Sequence, residues 1–362
     1  MKLKPTIIDW YIIRKFIGTY FFAIALISLI IVIFDVSENI DNFVETKAPL
    51  RAIIVDYYFN LIPFLANMFS PLFVFISVIF FTSKMAGNSE IIAILSGGVS
   101  FPRFMYPYFL SALVIFTLSL YLSLFVIPSA NARRWSFEEQ FKKKTFRNTD
   151  RNIHFQLEPG MFVYMESFST WDNSANRFSL ERFDGLELQS KLTSDRAVWD
   201  TSFNGWRVHN YVIRDLAESG EVLTRGRQLD TVISITAADL RRYHELNESL
   251  DYWRLNELIE QLQERGDKSV KFALIEKYRR VTIPFSVFIL TLIGVSLSSR
   301  KVRGGIGLKI GAGIALSFSY ILFLRFAEMF VHADVLSPAM ALWLPNIIYT
   351  IIAVGLYIKA PK

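Results

Sequence analysis

The chain has 362 residues, of which 52% are hydrophobic and 20% charged, with 33 Phe, 17 Gly and no Cys. That balance is too apolar for an ordinary soluble protein, and it excludes low-complexity disorder, a collagen-like repeat, a disulfide scaffold, thiolate catalysis and Cys-ligated metal. The formal charge of +6 does not point to a nucleic-acid partner, because excess Lys and Arg in so apolar a chain mark the cytoplasmic face of a membrane protein.

A hydrocarbon core about 30 Å thick takes roughly 20 apolar residues at 1.5 Å rise each. Residues 16–34, 57–83, 104–132, 281–299 and 335–358 contain no Asp, Glu, Lys or Arg, and 306–331 contains only Lys309, Arg325 and Glu328. Six membrane spans are therefore predicted. The first follows a charged start, but its 19 uncharged residues carry no small-residue cleavage site. It is expected to stay in the mature protein as a span, not to be removed as a signal peptide. Pro63 and Pro71 predict a bent second span.

Between the second and third spans lies Lys84-Met-Ala-Gly-Asn-Ser-Glu-Ile-Ile-Ala-Ile-Leu-Ser-Gly-Gly98. Asn88 or Ser89 can cap a short helix there. Glu90 in its first turn suits the positive end of the helix dipole, and Gly97 or Gly98 can end it. Ile91, Ile92, Ile94 and Leu95 are predicted on its outward surface. Two readings fit: an interfacial helix lying among headgroups, or a coupling helix docked in a cytoplasmic ATPase with Glu90 on a basic partner group.

After the third span the apolar period shifts toward two, as in Met161-Phe-Val-Tyr-Met-Glu-Ser-Phe168 and Trp206-Arg-Val-His-Asn-Tyr-Val-Ile213. Turn signals lie at Asp172-Asn-Ser174, Asp184-Gly185, Asn204-Gly205 and Ser219-Gly220. An antiparallel all-β, jelly-roll-like domain is predicted. Leu255, Leu258, Ile259 and Leu262 then form a helical stripe leading back to the membrane. The resulting division is 1–130 for three spans with a cytoplasmic helix near 88–98, 131–248 for the β-domain, 249–271 for the connecting helix, and 272–362 for three further spans. The basic run Lys142-Lys-Lys144, Arg147 and Arg151 reads as a solvated face or as an attraction to anionic headgroups.

No catalytic set emerges. His154, His209, His244 and His332 are too scattered for a metal motif, no phosphate-binding loop is present, and neither metal nor cofactor is expected. The Gly-rich stretch 304–313 lacks the preceding strand of a dinucleotide fingerprint. Gly307, Gly311 and Ala315 instead make a small-residue ridge suited to close helix packing in lipid. Arg325 and Glu328, three apart on one helix face, are costly at membrane depth. They read either as a functional pair or as a structural pair snorkelling to water.

Orientation follows from the basic residues of the short loops. With the N-terminus inside, Lys2, Lys4, Arg14, Lys15, Lys84, Arg103, Arg300, Lys301, Arg303, Lys359 and Lys362 are cytoplasmic, against Lys47 and Arg51 outside. Eleven against two places both termini in the cytoplasm and the β-domain in the periplasm.

Three spans, an outer β-domain and three more spans resemble the lipopolysaccharide-export permeases LptF and LptG. The matching residues are Pro63 and Pro71, Ser89-Glu90 with Ala93 and Gly98, Ile127-Pro128, Gly160-Met-Phe-Val-Tyr164, Ile283-Pro-Phe285, Leu336-Ser-Pro338 and Ala341-Leu-Trp-Leu-Pro-Asn346. The opening 3–16 and the Leu255–Leu262 stretch resemble LptG more than LptF. The resemblance implies the non-catalytic half of an ATP-driven extractor in the bacterial inner membrane. It would pair with a homologous permease above an LptB-like ATPase dimer and pass lipopolysaccharide to LptC-like and LptA-like periplasmic proteins. Glu90 takes the role of coupling carboxylate, with Ser89, Ile91, Ile94, Leu95 and Gly98 around it; Phe34, Lys47, Arg51, Arg325 and Glu328 are the lipid-path candidates. The family often places Lys or Arg near the outer end of the first span to hold lipid phosphates. Here Asp35, Glu38, Asp41 and Glu45 follow that span, and Lys47 and Arg51 are the remaining cations. The competing readings are another ABC-type lipid or lipoprotein permease, which commonly has four spans and a mixed outer domain, and a non-transporting membrane scaffold, which needs no docking helix.

Overall fold

The computed structural model describes residues 6–141, 151–169, 172–217, 220–233, 235–236, 240, 247–264, 269–299 and 305–360, with only the backbone at 151, 152, 155, 305, 306 and 308–310. The basic run at 142–147, His244 and the loop residues 300–304 lie outside the described residues. The chain divides into two compact units, 1–142 with 248–255 and 271–362, and 143–247 with 256–270.

In the first unit, α1 (Ile7–Glu45) opens on a capping box. Asp9 N–H donates to Thr6 Oγ1, and Thr6 N–H donates back to Asp9 Oδ2 at 2.6 Å, so two end donors are satisfied reciprocally. Helix α2 (Leu50–Gly87) follows a tight turn and holds Pro63 and Pro71. Its residues Ile53–Tyr58 form a wide π-helical turn. A short α3 (Glu90–Ser96) leads to α4 (Phe101–Phe141), which widens again at Leu122–Val126. Pro128 supplies the reason for the second widening: it has no N–H for the carbonyl four residues back, and the ladder just ahead shifts to bonds such as Ile127 N–H to Leu122 O. The third span helix thus runs unbroken through residue 130 to Phe141.

The chain re-enters this unit as α6 (Val270–Ser298), α7 (Gly305–His332) and α8 (Pro338–Ile358). Helix α5 (Tyr252–Glu264) precedes them, and its buried positions Leu255, Ile259 and Leu262 follow the predicted stripe. Among the described residues, six helices are long and apolar enough to cross a membrane.

Lipid tails give no hydrophobic drive to helix association, so close approach and polar staples hold such a bundle. Gly294 on α6 sits where an added Cβ would lie 2.7 Å from Val78 Cγ1 of α2. Gly313 on α7 is packed as tightly against Ile79. The ridge residues Gly307 and Gly311, by contrast, face open space within this chain. Asn67 donates to Ser123 Oγ at 2.8 Å and accepts from Ser119 at 2.5 Å, tying α2 to α4. Asn346 of α8 accepts from Tyr320 of α7 at 3.0 Å and donates to the Thr282 carbonyl of α6 at 3.0 Å.

In the second unit, β1 (Arg151–Glu158), β2 (Met161–Ser169), β3 (Ser174–Asp184), β4 (Glu187–Asp200), β5 (Gly205–Ala217) and β6 (Gly220–Thr231) form one six-stranded antiparallel sheet. The strands lie in chain order, so each described neighbour is a hairpin partner and the topology is a meander. Alternate residues Val163, Met165, Phe178, Ala197, Trp206 and Val208 form the core, and the Trp206 indole donates to the Ile235 carbonyl at 2.8 Å. Gly160 at φ +81° and Asn204 at φ +51° turn two of the hairpins, where a left-handed residue matches the strand twist.

Candidate functional site

One end of the helical unit gathers the start of α1, the end of α2, α3, the start of α4 and the end of α8 around Ile12, Met85, Ile91, Phe101 and Ala360. The described residues nearest the two chain ends therefore lie on this side. Helix α3 enters through Ser89 at φ +63° with no capping bond from the Ser89 side chain. The Asn88 amide donates to Glu90 Oε1 at 2.9 Å instead. The helix ends as the glycines predict: Gly97 N–H bonds the Ala93 carbonyl, and Gly98 adopts φ +86°, a backbone state that costs a Cβ-free residue nothing.

The outward surface of α3 differs from the predicted one. Ile91 is only 1% exposed and belongs to the buried cluster that holds Ile12 and Phe16 of α1 and Phe101 and Phe104 of α4, while Ile94 and Leu95 lie half-buried against the same cluster. Positions 91, 94 and 95 are spaced i, i+3, i+4, which is the pattern of an inward stripe, and that spacing was the available signal. Ile92, Ala93 and Ser96 are exposed, and Glu90 is half-buried beside them.

Close to α3, the Asp9 carboxylate receives both terminal nitrogens of Arg103, at 2.7 and 2.5 Å. It also accepts from the Thr6 hydroxyl at 2.9 Å. Its side chain is 4% exposed and that of Arg103 is 25% exposed. Sequence reading placed Arg103 only in the charge count and passed over Asp9, since partners 94 residues apart leave no local pattern.

At the opposite end, Phe34 of α1 is exposed, as are Lys47 and Arg51 in the turn and first residues of α2. Asp35 follows Phe34 and accepts from the hydroxyls of Tyr57 at 3.1 Å and Tyr58 at 3.0 Å, both in the π-helical turn. Arg325 and Glu328 pair at 3.1 Å, as their spacing predicts. Glu328 is shared, however, with Arg279 of α6, also at 3.1 Å. Arg279 in turn lies 3.4 Å from Glu276 and 3.9 Å from Glu248, and Arg280 pairs with Glu276 at 3.0 Å. Arg134 of α4 is buried, its guanidinium 4.8 Å from the centre of the Phe64 ring. Burial and the nearby Glu276 carboxylate push the Glu248 carboxyl above its ordinary value, against the pull of Arg279, Arg134 and Arg280. Glu276, Arg279, Arg280 and Glu248 were missed in the sequence. The i,i+4 spacing of Glu276 and Arg280 just ahead of an uncharged span was the one local clue.

Phe34, Lys47 and Arg51 are not brought against Arg325 and Glu328 by this chain. Helix α1 packs mainly on α2 and α4, whereas α7 packs mainly on α2 and α8. Among the described residues no group of three or more His, Asp and Glu side chains is arranged to hold a metal ion.

Six helices of spanning length, divided three and three by an antiparallel β-sheet among the described residues, define a polytopic membrane protein with an inserted β-domain. The family model of the lipopolysaccharide export system permease LptF/LptG matches residues 10–359, and the chain belongs to that family. Comparison with individually curated proteins gives no match. Membership makes the chain an inner-membrane permease of lipopolysaccharide export, a transport subunit and not itself a catalytic enzyme.

Proposed function

We propose that this chain is the LptG-like half of an ATP-driven lipopolysaccharide extractor, with ATP hydrolysis supplied by a separate LptB-like ATPase dimer in the cytoplasm. In the membrane it pairs with an LptF-like permease and hands lipid upward to LptC-like and LptA-like proteins. The observation that carries this reading is α3, a short helix at the end nearest both termini, with Glu90 in its first turn and an outward surface of Ile92, Ala93 and Ser96. Such a helix has no evident use in a scaffold. Ser89 at its left-handed entry and Gly98 at its left-handed exit fix its pitch, and Ile91, Ile94 and Leu95 seat it on the bundle. Glu90 then serves as the coupling carboxylate toward a basic group of the ATPase. At the periplasmic end Phe34, Lys47, Arg51 and Arg325 line the lipid route, completed by the partner permease because α1 and α7 of one chain are not packed on each other, with Glu328 holding Arg325 in place.

Glu90→Ala tests the reading. A charge-assisted bond to a partner cation contributes about 1.5 to 3 kcal/mol, so the variant should insert normally while the ATPase dissociates more readily and export falls. Purification in mild detergent should recover the ATPase, the second permease and bound lipopolysaccharide with the wild-type chain. Undiminished export by the Glu90→Ala chain would overturn the coupling assignment.

A further inference from the structure

The bonds at the foot of α1 bear on how movement of α3 reaches the lipid route, and this inference rests on the coupling role proposed above. Helix α1 is a single rod of 39 residues without an interior proline or π-helical turn, about 58 Å long at 1.5 Å per residue. Its neighbours α2 and α4 are each interrupted by prolines and a wide turn, the features that kink a helix and that α1 lacks. At the foot of that rod Asp9 holds Arg103 in a two-pronged pair, a geometry that fixes direction as well as distance. Arg103 stands in the first turn of α4, separated from α3 by residues 97–102 alone. Ile91, on the inward face of α3, belongs to the same buried cluster as Ile12 and Phe16, one and two turns above Asp9.

We infer that Asp9 and Arg103 are a positioning pair that joins α3, the start of α4 and the foot of α1 into one rigid body, so that displacement of the ATPase-facing helix is delivered to the first span. Hydrophobic contact through Ile91 resists separation but permits sliding. The bidentate pair removes the sliding. Thr6 strengthens the arrangement by donating backbone and side-chain hydrogen bonds to the same carboxylate at 2.6 and 2.9 Å, which holds Asp9 in the rotamer that faces Arg103. The upper part of α1 is tied in turn by the two tyrosine hydroxyls on Asp35 and by Phe43 packed with Tyr57 and Phe137, so motion imposed at the foot is passed to the turn before α2.

The test uses the full chain in lipid nanodiscs, first alone and then in the purified complex. Nitroxide labels on Lys15→Cys and Ser96→Cys, both exposed and on a cysteine-free background, report the spacing of α1 and α3 by pulsed electron resonance. One narrow distance distribution is expected, broadening or splitting in Asp9→Asn and in Arg103→Gln and narrowing again in the exchanged pair Asp9→Arg with Arg103→Asp. An unchanged distribution in both single variants overturns the rigid-body inference without touching the transport reading. In the complex, the lipopolysaccharide released per ATP hydrolysed should fall by at least about fivefold in Asp9→Asn, the low end of a typical coupling energy, while hydrolysis continues. A wild-type ratio in a variant that is merely less thermostable makes the pair structural only and overturns the inference. Absence of any lipid release by the wild-type complex would instead count against the proposed function, leaving the distance measurement to decide the pair.

Discussion

Glu328 serves two arginines at once, and that sharing separates the roles of Arg279 and Arg325. The Glu328 side chain is 10% exposed and that of Arg325 is 58% exposed, so the Arg325 pair is screened by solvent and contributes about 0 to 1 kcal/mol to stability. Arg279 is held by three carboxylates and depends on Glu328 for one of its two closest contacts. Glu328→Gln removes the nearest of those carboxylates while Glu276 and Glu248 remain, a loss of about 1.5 to 3 kcal/mol for a charge-assisted bond. Arg325→Gln should therefore keep the melting temperature within a degree or two while lowering export, and Glu328→Gln should lower both. Exchanging the charges at 325 and 328 should not rescue folding, because an arginine at 328 would face Arg279. A thermal melt beside an export assay on the three variants checks this; restoration by the exchange would return the pair to a purely structural role.

Burial separates the two apolar faces of α3 by element rather than by residue type. Ile91 is packed in the bundle, so Ile91→Ala should cost about 2 to 4 kcal/mol of stability. Ile92 is 50% exposed, so Ile92→Ala should leave the melt unchanged and weaken capture of the ATPase, read by copurification. In the sheet, surface ion pairs give stability a modest pH dependence. Arg207 donates to Asp230 and holds its carboxyl below the ordinary value; Arg214 does the same for Glu221, and the Ser202 hydroxyl and backbone N–H lower Asp200. A carboxylate whose folded value is depressed contributes stability that is present above its unfolded value, near 4, and is lost as pH falls through the folded one. The sheet should accordingly weaken in acid below about pH 4, followed by tryptophan emission of the full chain, and Arg207→Gln should flatten that dependence. An unaltered acid profile in the variant would remove these pairs from the account.

The elements that were legible in the sequence are those with a local period. Charge-free windows of span length gave five of the six membrane helices, the long apolar stretch around Lys309, Arg325 and Glu328 gave the other, and period-two runs between turn residues gave the β-insert. The meander order was not legible, since strand pairing is a long-range property that the alternation of Val163, Met165 and Phe168 does not encode. Interruptions were half legible: Pro63 and Pro71 announced irregularity in α2, but the wide turn lies upstream at Ile53–Tyr58. Of the candidate site, the short helix and the Arg325–Glu328 pair follow from spacing. The partners Arg279, Glu248, Asp9 and Arg103 depend on which helices meet, and Asp35 reads as an unwelcome acid until Tyr57 and Tyr58 are placed on it.

At the scale of the whole molecule, the ends of α1 and the short connections of the helical unit carry different charge patterns on the two sides. Arg14, Lys15, Lys84, Arg103 and Lys359 gather at the end nearest both termini, whereas Lys47 and Arg51 stand at the other among Asp35, Glu38, Asp41 and Glu45. Retention of basic residues on the cytoplasmic side orients such a bundle, so the end with α3 should face the cytoplasm and the β-sheet the periplasm. The lengths agree: the uncharged stretch 16–34 covers about 28 Å, a full hydrocarbon core, and the remainder of α1 to Glu45 extends about 16 Å beyond it into the aqueous side. Absence of cysteine makes the orientation directly measurable. Ser174 is unsuitable as a probe because it is 2% exposed, whereas Ser202 in the turn before β5 and Ser96 at the end of α3 are open to solvent. With single cysteines at these positions, an impermeant maleimide added to intact spheroplasts should label 202 and spare 96 until the membrane is permeabilised. Labelling of 96 in intact cells with protection of 202 would invert the molecule, place α3 away from any cytoplasmic ATPase, and leave Glu90 without a partner to pull on.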